Sequence, residues 1–317
     1  MNPNRKLPLV LADEPLPLSV KGPLEGVVEW LPWDEVDSGR AADVEAIYTY
    51  GHPRVDGRLL DRLPGARVIS NFGVGVDHIS LADAAARGVR VGHTPGVVDG
   101  ATADMGFALL LAAARGLIRG DHYARGPEFT HYDPSYLIGR EIHGQRIGIV
   151  GMGRIGYQVA QRATGFAMKI LYHNRRPRTD LPESFAARYV SLDELLAESD
   201  FVVVTVPLTD ETRGMIGRDE IAKMRSTAIL VNIARGGVVD TEALTDALVG
   251  RRIYAAGLDV TDPEPLPRDH PLLSCDNLTI APHLGSATEQ TRTAMADASI
   301  ENLLRGLKGQ PLLYEAK

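Results

Sequence analysis

The chain has 317 residues, of which 44% are hydrophobic and 24% charged, and its formal net charge is -7 at pH 7. This composition excludes a disordered or fibrous chain, and the acidic balance argues against general binding to nucleic acid. Because a single hydrophobic core stops growing beyond about 250 to 300 residues, two domains are expected.

Two series of alternating strands and helices follow one another along the chain. Short apolar runs separated by amphipathic stretches predict parallel sheets covered by helices. In the first series, Ser80 and Asp83 frame the start of a helix over SLADAAARG. Its strand candidates are LPLVLA (7 to 12), VVEWL (27 to 31), AIYTYG (46 to 51), RVISNFG (67 to 73) and VRVGHT (89 to 94).

The second series begins after His143 and is longer. Six strands joined by helical crossovers predict a dinucleotide-binding sheet. The candidates are RIGIVG (146 to 151), MKILYHN (168 to 174), FVVVTV (201 to 206), AILVNIA (228 to 234), YAAGLDV (254 to 260) and NLTIAPH (277 to 283).

Two long helices, at about 98 to 117 and about 287 to 308, lie outside both series, and Ser286 with Glu289 has capping-box spacing at the start of the second. We interpret them as crossovers between two doubly wound α/β domains. A discontinuous, flavodoxin-like substrate-binding domain then comprises residues 1 to 100 and 288 to 317, and an inserted Rossmann domain comprises 101 to 287. The irregular stretch 126 to 139 is expected to be an arm that packs on a partner subunit.

A glycine-rich turn follows the first strand of the second series. Its residues are Gly151, Met152, Gly153, Arg154, Ile155 and Gly156, and a helix follows directly. The first glycine permits the tight turn, the second lets the backbone approach a pyrophosphate, and the third lets helix and strand pack closely. The strand, turn and helix order predicts a dinucleotide site with the helix N-terminus facing the phosphates.

The tip of the next strand bears on the choice of cofactor. A carboxylate there would bind the ribose 2'-hydroxyl of NAD, but this strand ends in Asn174, Arg175 and Arg176. Arginine suits a 2'-phosphate, which it can bind with two hydrogen bonds. We therefore expect NADPH in preference to NADH, with NAD possible.

Three polar residues follow strands of the second series, where open parallel sheets bind ligands. Arg235, Glu264 and His283 follow the last three strand candidates in turn. Reduction of a keto acid needs a cation for the carboxylate and carbonyl, a proton donor, and a group that orients the donor. Arginine, histidine and glutamate meet these needs in that order, so the three are predicted to be catalytic. The other eight histidines are given no catalytic role.

Two further groups are predicted to contact ligands. The turn from Asn71 to Asp77 ends a strand of the first series, and its backbone N-H groups can form a nest for a small carboxylate. Asp259 ends its own strand, where it is placed to accept a hydrogen bond from the nicotinamide carboxamide.

Location is indicated by what the sequence lacks. No apolar run approaches the about 18 residues of a membrane span, and the N-terminus has no signal-peptide pattern. Cys275 is the only cysteine, so neither an internal disulfide nor a CxxC metal site is expected. A cytoplasmic enzyme without metal, membrane or nucleic-acid partners is the expectation.

Several of these motifs together resemble the D-isomer-specific 2-hydroxyacid dehydrogenases. The resemblance runs from about residue 65 to the end and rests on NFGVGVDH, TPGVVDGATADMGFALLLAAAR, GIVGMGRIG, VNIARGGVVD, AAGLDVTDPEPLPRDHPLL and APHLGSAT. Within the family, YHNRR and LDVTDPEPLPRDHPLL most resemble glyoxylate and hydroxypyruvate reductases, including the 2-ketogluconate reductase type.

This resemblance implies a homodimer that reduces a small 2-keto acid to the D-2-hydroxy acid, with Arg235, Glu264 and His283 in the roles given above. It implies that the backbone at Val74 and Gly75, with Arg235 and His283, binds the substrate. Five further residues are implied to line the cofactor: Thr102, Pro207, Ile233, Asp259 and Gly285.

Other functions are compatible with these motifs. One alternative is a D-2-hydroxyacid dehydrogenase for another side chain, such as that of phenylpyruvate. Phosphite oxidation uses a similar triad, whereas formate dehydrogenases have glutamine at the position of Glu264. A nucleotide-sensing scaffold without catalysis is the alternative of a different class, and the lack of added partner modules argues against it.

Overall fold

The computed structural model describes residues 6–13 and 15–316. The chain divides into two compact units. One contains the described residues up to Val98 together with those from Thr288 onward, and the other is Asp99–Ala287. The sequence predicts changes of domain at 100/101 and 287/288, whereas the two units change along the chain at 98/99 and 287/288.

The first unit is built on a parallel sheet of five strands in the order β2-β1-β3-β4-β5. This is the flavodoxin-like order, so the predicted fold class is confirmed. Its strands are β1 (Leu9–Ala12), β2 (Glu29–Pro32), β3 (Val44–Thr49), β4 (Val68–Asn71) and β5 (Arg90–Gly92), and its helices are α1 (Leu18–Leu24), α2 (Gly57–Asp61), α3 (Leu81–Ala86) and α10 (Glu289–Leu307).

Helix α10 docks on this sheet through buried polar contacts as well as apolar ones. The hydroxyls of Tyr48 and Ser299 lie 2.7 Å apart, and the Ser70 hydroxyl donates to the Ser299 carbonyl at 2.6 Å. At Gly306 a Cβ would lie 2.4 Å from Val68 Cγ2, so glycine is required for this close approach of helix and strand. The C-terminal helix is therefore an integral part of the first unit.

The second unit contains a parallel sheet of seven strands in the order β12-β11-β10-β9-β6-β7-β8. The order reverses between β9 and β6, as in dinucleotide-binding sheets. Its strands are β6 (Arg146–Val150), β7 (Lys169–His173), β8 (Arg188–Tyr189), β9 (Phe201–Val204), β10 (Ile229–Asn232), β11 (Ala255–Leu258) and β12 (Leu278–Ile280), and its helices are α4 (Asp99–Arg115), α5 (Leu117–Arg125), α6 (Arg154–Gly165), α7 (Leu192–Glu198), α8 (Arg218–Lys223) and α9 (Thr241–Val249).

Two details differ from the sequence predictions. The short strand β8 was not predicted, because its two residues are exposed and form no apolar run. Helix α10 is capped by Thr288, whose side chain accepts from the Thr291 N-H at 3.2 Å, and not by Ser286. Ser286 instead lies in a turn that is closed when the Ala287 N-H donates to the Leu284 carbonyl at 2.8 Å.

The helix predicted after Ser80 is present, and the Ser80 hydroxyl accepts from the Asp83 N-H at 3.3 Å. The stretch 126 to 139 contains neither a helix nor a strand. No single helix among residues 6–13 and 15–316 is long and apolar enough to cross a membrane. One helix pair, α4 with α5, meets the same length and composition test but is bent by 62°.

Candidate active site

The residues predicted to be catalytic follow three neighbouring strands of the second unit. Arg235 follows β10, Glu264 follows β11 and His283 follows β12. Parallel strands end at one edge of the sheet, where ligands bind in such folds. The sheet order therefore places all three residues beyond the same edge.

His283 and Glu264 form a direct pair. The Nδ1 atom of His283 lies 2.7 Å from Oε1 of Glu264, and both side chains are partly exposed. Partial burial by itself would raise the pKa of Glu264, but the hydrogen bond and charge of His283, with smaller contributions from the Thr261 N-H and Arg235, lower it overall. The glutamate is thus held as a carboxylate that orients the histidine ring.

Asp259 fixes the turn that carries His283. Its two carboxylate oxygens accept from the N-H groups of Leu284 and Gly285 at 2.6 and 2.7 Å, and its carbonyl accepts from the His283 N-H at 2.8 Å. His283 has a φ of 57°, in the left-handed region that side-chain-bearing residues rarely adopt. Burial raises the pKa of Asp259, and the two backbone hydrogen bonds oppose that rise.

Arg235 is held by the backbone of the preceding residue and by a buried amide. The side chain of Asn232, which is 1% exposed, donates to the Arg235 carbonyl at 2.9 Å and accepts from the Ala234 N-H at 3.0 Å. The Arg235 guanidinium donates to the Ala234 carbonyl at 2.9 Å. Its charge is close enough to Glu264 to lower the pKa of that carboxyl.

A glycine brings the arginine segment against the glutamate segment. At Gly236, a Cβ would lie 2.0 Å from the carbonyl carbon and oxygen of Thr261 and 2.5 Å from the Asp262 nitrogen. Only a residue without a side chain fits there. The first glycine after Arg235 therefore has a structural reason, which the sequence motif alone does not reveal.

The glycine turn after β6 has the shape that a dinucleotide requires. Gly151 has a φ of 102°, and at Gly156 a Cβ would lie 2.2 Å from the Gly151 carbonyl oxygen. A Cβ at Gly153 would meet no atom within 4 Å, so space remains for a close ligand. Helix α6 begins at Arg154, and no side chain caps its N-terminus. These residues fit a pyrophosphate bound at the helix N-terminus.

The tip of β7 is tied to this turn. The Asn174 side chain accepts from the Met152 N-H at 2.6 Å, and the side chains of Arg175 and Arg176 extend from an exposed bend. Arg178, which the sequence analysis did not single out, donates to the Met152 carbonyl at 3.1 Å. In the sequence, the only sign of this contact is that Arg178 is the third arginine of the segment RRPR.

Other residues implied to line the cofactor are distributed around the same unit. Thr102 lies beside Gly285, where a Cβ would be 3.3 Å from Thr102 Cγ2. Ile233 is buried after β10, whereas Pro207 is exposed after β9 and its carbonyl accepts from the Thr212 hydroxyl at 2.6 Å. Arg154 forms an ion pair with Asp99 at 2.8 Å.

Val74 and Gly75 belong to the first unit, in the turn after β4. Their N-H groups donate to no other group within residues 6–13 and 15–316. Asn71 braces the turn, since its side-chain amide donates to the carbonyls of Gly73 and Gly75 at 3.0 Å each. Backbone N-H groups left available in such a turn form the kind of nest that binds an anion.

A dinucleotide-type turn, and a histidine paired with glutamate at the same sheet edge, are together the features of nicotinamide-dependent dehydrogenases. Residues 107–285 match a family model described as "D-isomer specific 2-hydroxyacid dehydrogenase, NAD binding domain". The chain belongs to the D-isomer specific 2-hydroxyacid dehydrogenase family.

Similar proteins extend this relationship beyond one domain. A glyoxylate reductase from Korarchaeum cryptofilum is 43% identical over 280 residues, which cover 88% of this chain and 84% of that protein. The glyoxylate reductase/hydroxypyruvate reductase of Mus musculus is 44% identical over 266 residues, covering 83% and 81%. The crystal structure of the NADPH-dependent glyoxylate/hydroxypyruvate reductase from Sinorhizobium meliloti, in complex with NADP and malonate, has a TM-score of 0.89 at 30% identity, covering 98% of this chain and 96% of that one.

Proposed function

We propose that the protein reduces a small 2-keto acid, such as glyoxylate, hydroxypyruvate or 2-ketogluconate, to the D-2-hydroxy acid. The observation that carries this proposal is the 2.7 Å contact between His283 Nδ1 and Glu264 Oε1 at the edge of a dinucleotide-binding sheet. The names of the similar proteins from Korarchaeum cryptofilum and Mus musculus support the same substrate class.

A reduced nicotinamide dinucleotide, which the glycine turn after β6 and the tip of β7 would hold, would supply the hydride for C2 of the keto acid. His283 donates a proton to the oxygen on C2 as negative charge develops there. Glu264 fixes the ring of His283 and stabilises its protonated form. Arg235 supplies a cation for the carboxylate and the carbonyl, and the N-H groups of Val74 and Gly75 bind the substrate carboxylate.

The test compares NADPH and NADH against glyoxylate, hydroxypyruvate, 2-ketogluconate, pyruvate and phenylpyruvate by loss of reduced-nicotinamide absorbance. Fast turnover of one of the first three supports the proposal. Fast turnover of phenylpyruvate alone would indicate a keto-acid substrate with another side chain. Cofactor binding without turnover would favour a sensing scaffold. The variant His283→Ala should abolish turnover while leaving cofactor binding near normal.

We further propose that NADPH is preferred to NADH. The Arg175 side chain is 92% exposed, and its ion pair with Glu211 is loose at 3.6 Å, so that guanidinium is available to a 2'-phosphate at little energetic cost. Replacing Arg175 and Arg176 by serine should raise the KM for NADPH at least tenfold and leave that for NADH unchanged. The exposed Arg54→Ser is the matched control, and equal effects on both cofactors would contradict this assignment.

We also propose that the protein is a cytoplasmic homodimer. Apolar side chains are exposed along α5 and the following irregular stretch, namely Leu117, Ile118, Phe129, Tyr132 and Ile138. An exposed apolar surface of this kind is typical of a subunit interface. Sedimentation equilibrium should give a dimer, and Ile138→Asp should shift the equilibrium toward monomer. A monomeric wild-type protein would contradict this part of the proposal.

A further inference from the structure

The direction of each N-H group in the turn after β4 is set by the carbonyl that shares its peptide plane. A trans peptide is planar, and its C=O and N-H bonds point in opposite directions. Fixing the Gly73 carbonyl therefore fixes the Val74 N-H, and fixing the Val74 carbonyl fixes the Gly75 N-H. These two N-H groups are the ones assigned above to the substrate carboxylate.

Hydrogen bonds fix both of these carbonyl groups. The Gly73 carbonyl accepts from the Thr94 N-H at 2.9 Å and from the Asn71 side chain at 3.0 Å. The Val74 carbonyl is 3.0 Å from Nδ1 of His93. Because a carbonyl can only accept, His93 must carry a proton on Nδ1 to make this contact. The Gly75 N-H thus depends on a histidine side chain for its direction.

The backbone of His93 is anchored on both sides. Its N-H donates to the Tyr314 carbonyl at 3.1 Å, and its carbonyl accepts from the side chain of Asn302 at 2.9 Å. Asn302 is completely buried, and it also accepts from the Tyr314 N-H at 3.0 Å. Nearby, Arg90 holds the same C-terminal segment through two hydrogen bonds to Glu315 at 3.0 and 2.7 Å.

We infer that His93 is a positioning residue for the substrate carboxylate, acting through the Val74 carbonyl to aim the Gly75 N-H. This inference rests on the proposed function of the turn and goes beyond it. It assigns to a histidine with no predicted role a task in substrate affinity and not in the chemical step. It also makes the C-terminal segment, through Tyr314, a support of the substrate site.

Two substitutions separate the hydrogen bond from the rest of the side chain. Asparagine carries its amide nitrogen at the same bond distance from Cα as Nδ1 of histidine, so His93→Asn keeps a donor for the Val74 carbonyl. His93→Leu places a methyl group there. We expect His93→Leu to raise the KM for glyoxylate about tenfold, or about 1.4 kcal/mol, with kcat and the KM for NADPH within about twofold of wild type. His93→Asn should restore the wild-type KM.

Thermal unfolding of both variants controls for loss of structure, and His93→Phe serves as the donor-free variant where His93→Leu does not fold. A wild-type KM in the folded donor-free variant would overturn the inference. Equal increases in KM for Asn and Leu would also overturn it, because only packing would then matter. Failure of the wild-type protein to reduce any keto acid is a distinct result, which would overturn the proposed function and this inference together.

Discussion

Replacing Gly236 with alanine should strongly reduce activity even though Arg235, Glu264 and His283 themselves are unchanged. The added Cβ would lie 2.0 Å from the carbonyl group of Thr261, and ordinary van der Waals contact begins at 3.4 Å. One segment must therefore move by about 1.4 Å relative to the other. Gly236 follows Arg235 directly, and Thr261 donates to Glu264 at 3.4 Å, so the movement changes the spacing between these two side chains.

A misplacement of about 1 Å can reduce an enzymatic rate about a hundredfold. We therefore expect kcat/KM for the keto acid to fall at least a hundredfold in Gly236→Ala, equivalent to about 2.7 kcal/mol of transition-state stabilisation. Overpacking should also lower the free energy of unfolding by about 1 to 3 kcal/mol. Steady-state kinetics below the unfolding transition separate the two effects.

Gly165→Ala is the matched control, because a Cβ at the end of α6 meets no atom within 4 Å. It should keep wild-type kinetics and stability. Cofactor affinity in Gly236→Ala should remain close to wild type, since the glycine turn that binds the dinucleotide is elsewhere on the sheet. If Gly236→Ala turned over at the wild-type rate, close packing of these two segments would not set the triad spacing.

Four other expectations can be checked separately. Glu264→Gln should lower kcat about tenfold to a hundredfold, because His283 loses the carboxylate that stabilises its protonated form; a titration of kcat against pH checks this. In the wild type the pKa of Glu264 lies below its ordinary value of 4.5, so the stability contributed by its carboxylate is lost as the pH falls through the lowered pKa; urea unfolding that showed no loss of stability below pH 4.5 would contradict this. Gly156→Ala should weaken NADPH binding at least tenfold in a fluorescence titration, because the Cβ would lie 2.2 Å from a backbone oxygen of the turn. Thr288→Ala should lower the free energy of unfolding by about 1 kcal/mol in urea, whereas Ser286→Ala should change it little.

Most of the fold was predictable because local sequence and global structure agree. Every strand with an apolar run was located, and β9 shows why, since all of its residues are buried in a parallel sheet covered on both faces. Strand β8 has no such run, because it is a short edge strand. The predicted start of α10 was wrong because Ser286 and Thr288 are both suitable caps. Only the turn closed by the Ala287 N-H distinguishes them.

The site was predictable only in part. The places of Arg235, Glu264 and His283 after neighbouring strands follow from sheet order, and the expected pairing of Glu264 with His283 is present at 2.7 Å. Their catalytic roles stay predictions. The contacts of Arg178 and His93 were not predictable, because each side chain meets a backbone carbonyl that lies far away in sequence.

The spacing of the triad residues follows from the hydrogen bonds that pair β10, β11 and β12. Asn232 is paired with Leu258, and Leu258 with Ile280, so three strands end level with one another. A slip of one residue in any of them would displace the attached side chain by about 3.3 Å, far more than the chemistry tolerates. Mutations that alter core side chains but preserve these pairings should therefore leave the triad aligned. The register of the strands thus sets the spacing of the triad. The core side chains beneath the triad can vary in sequence as long as that register is kept.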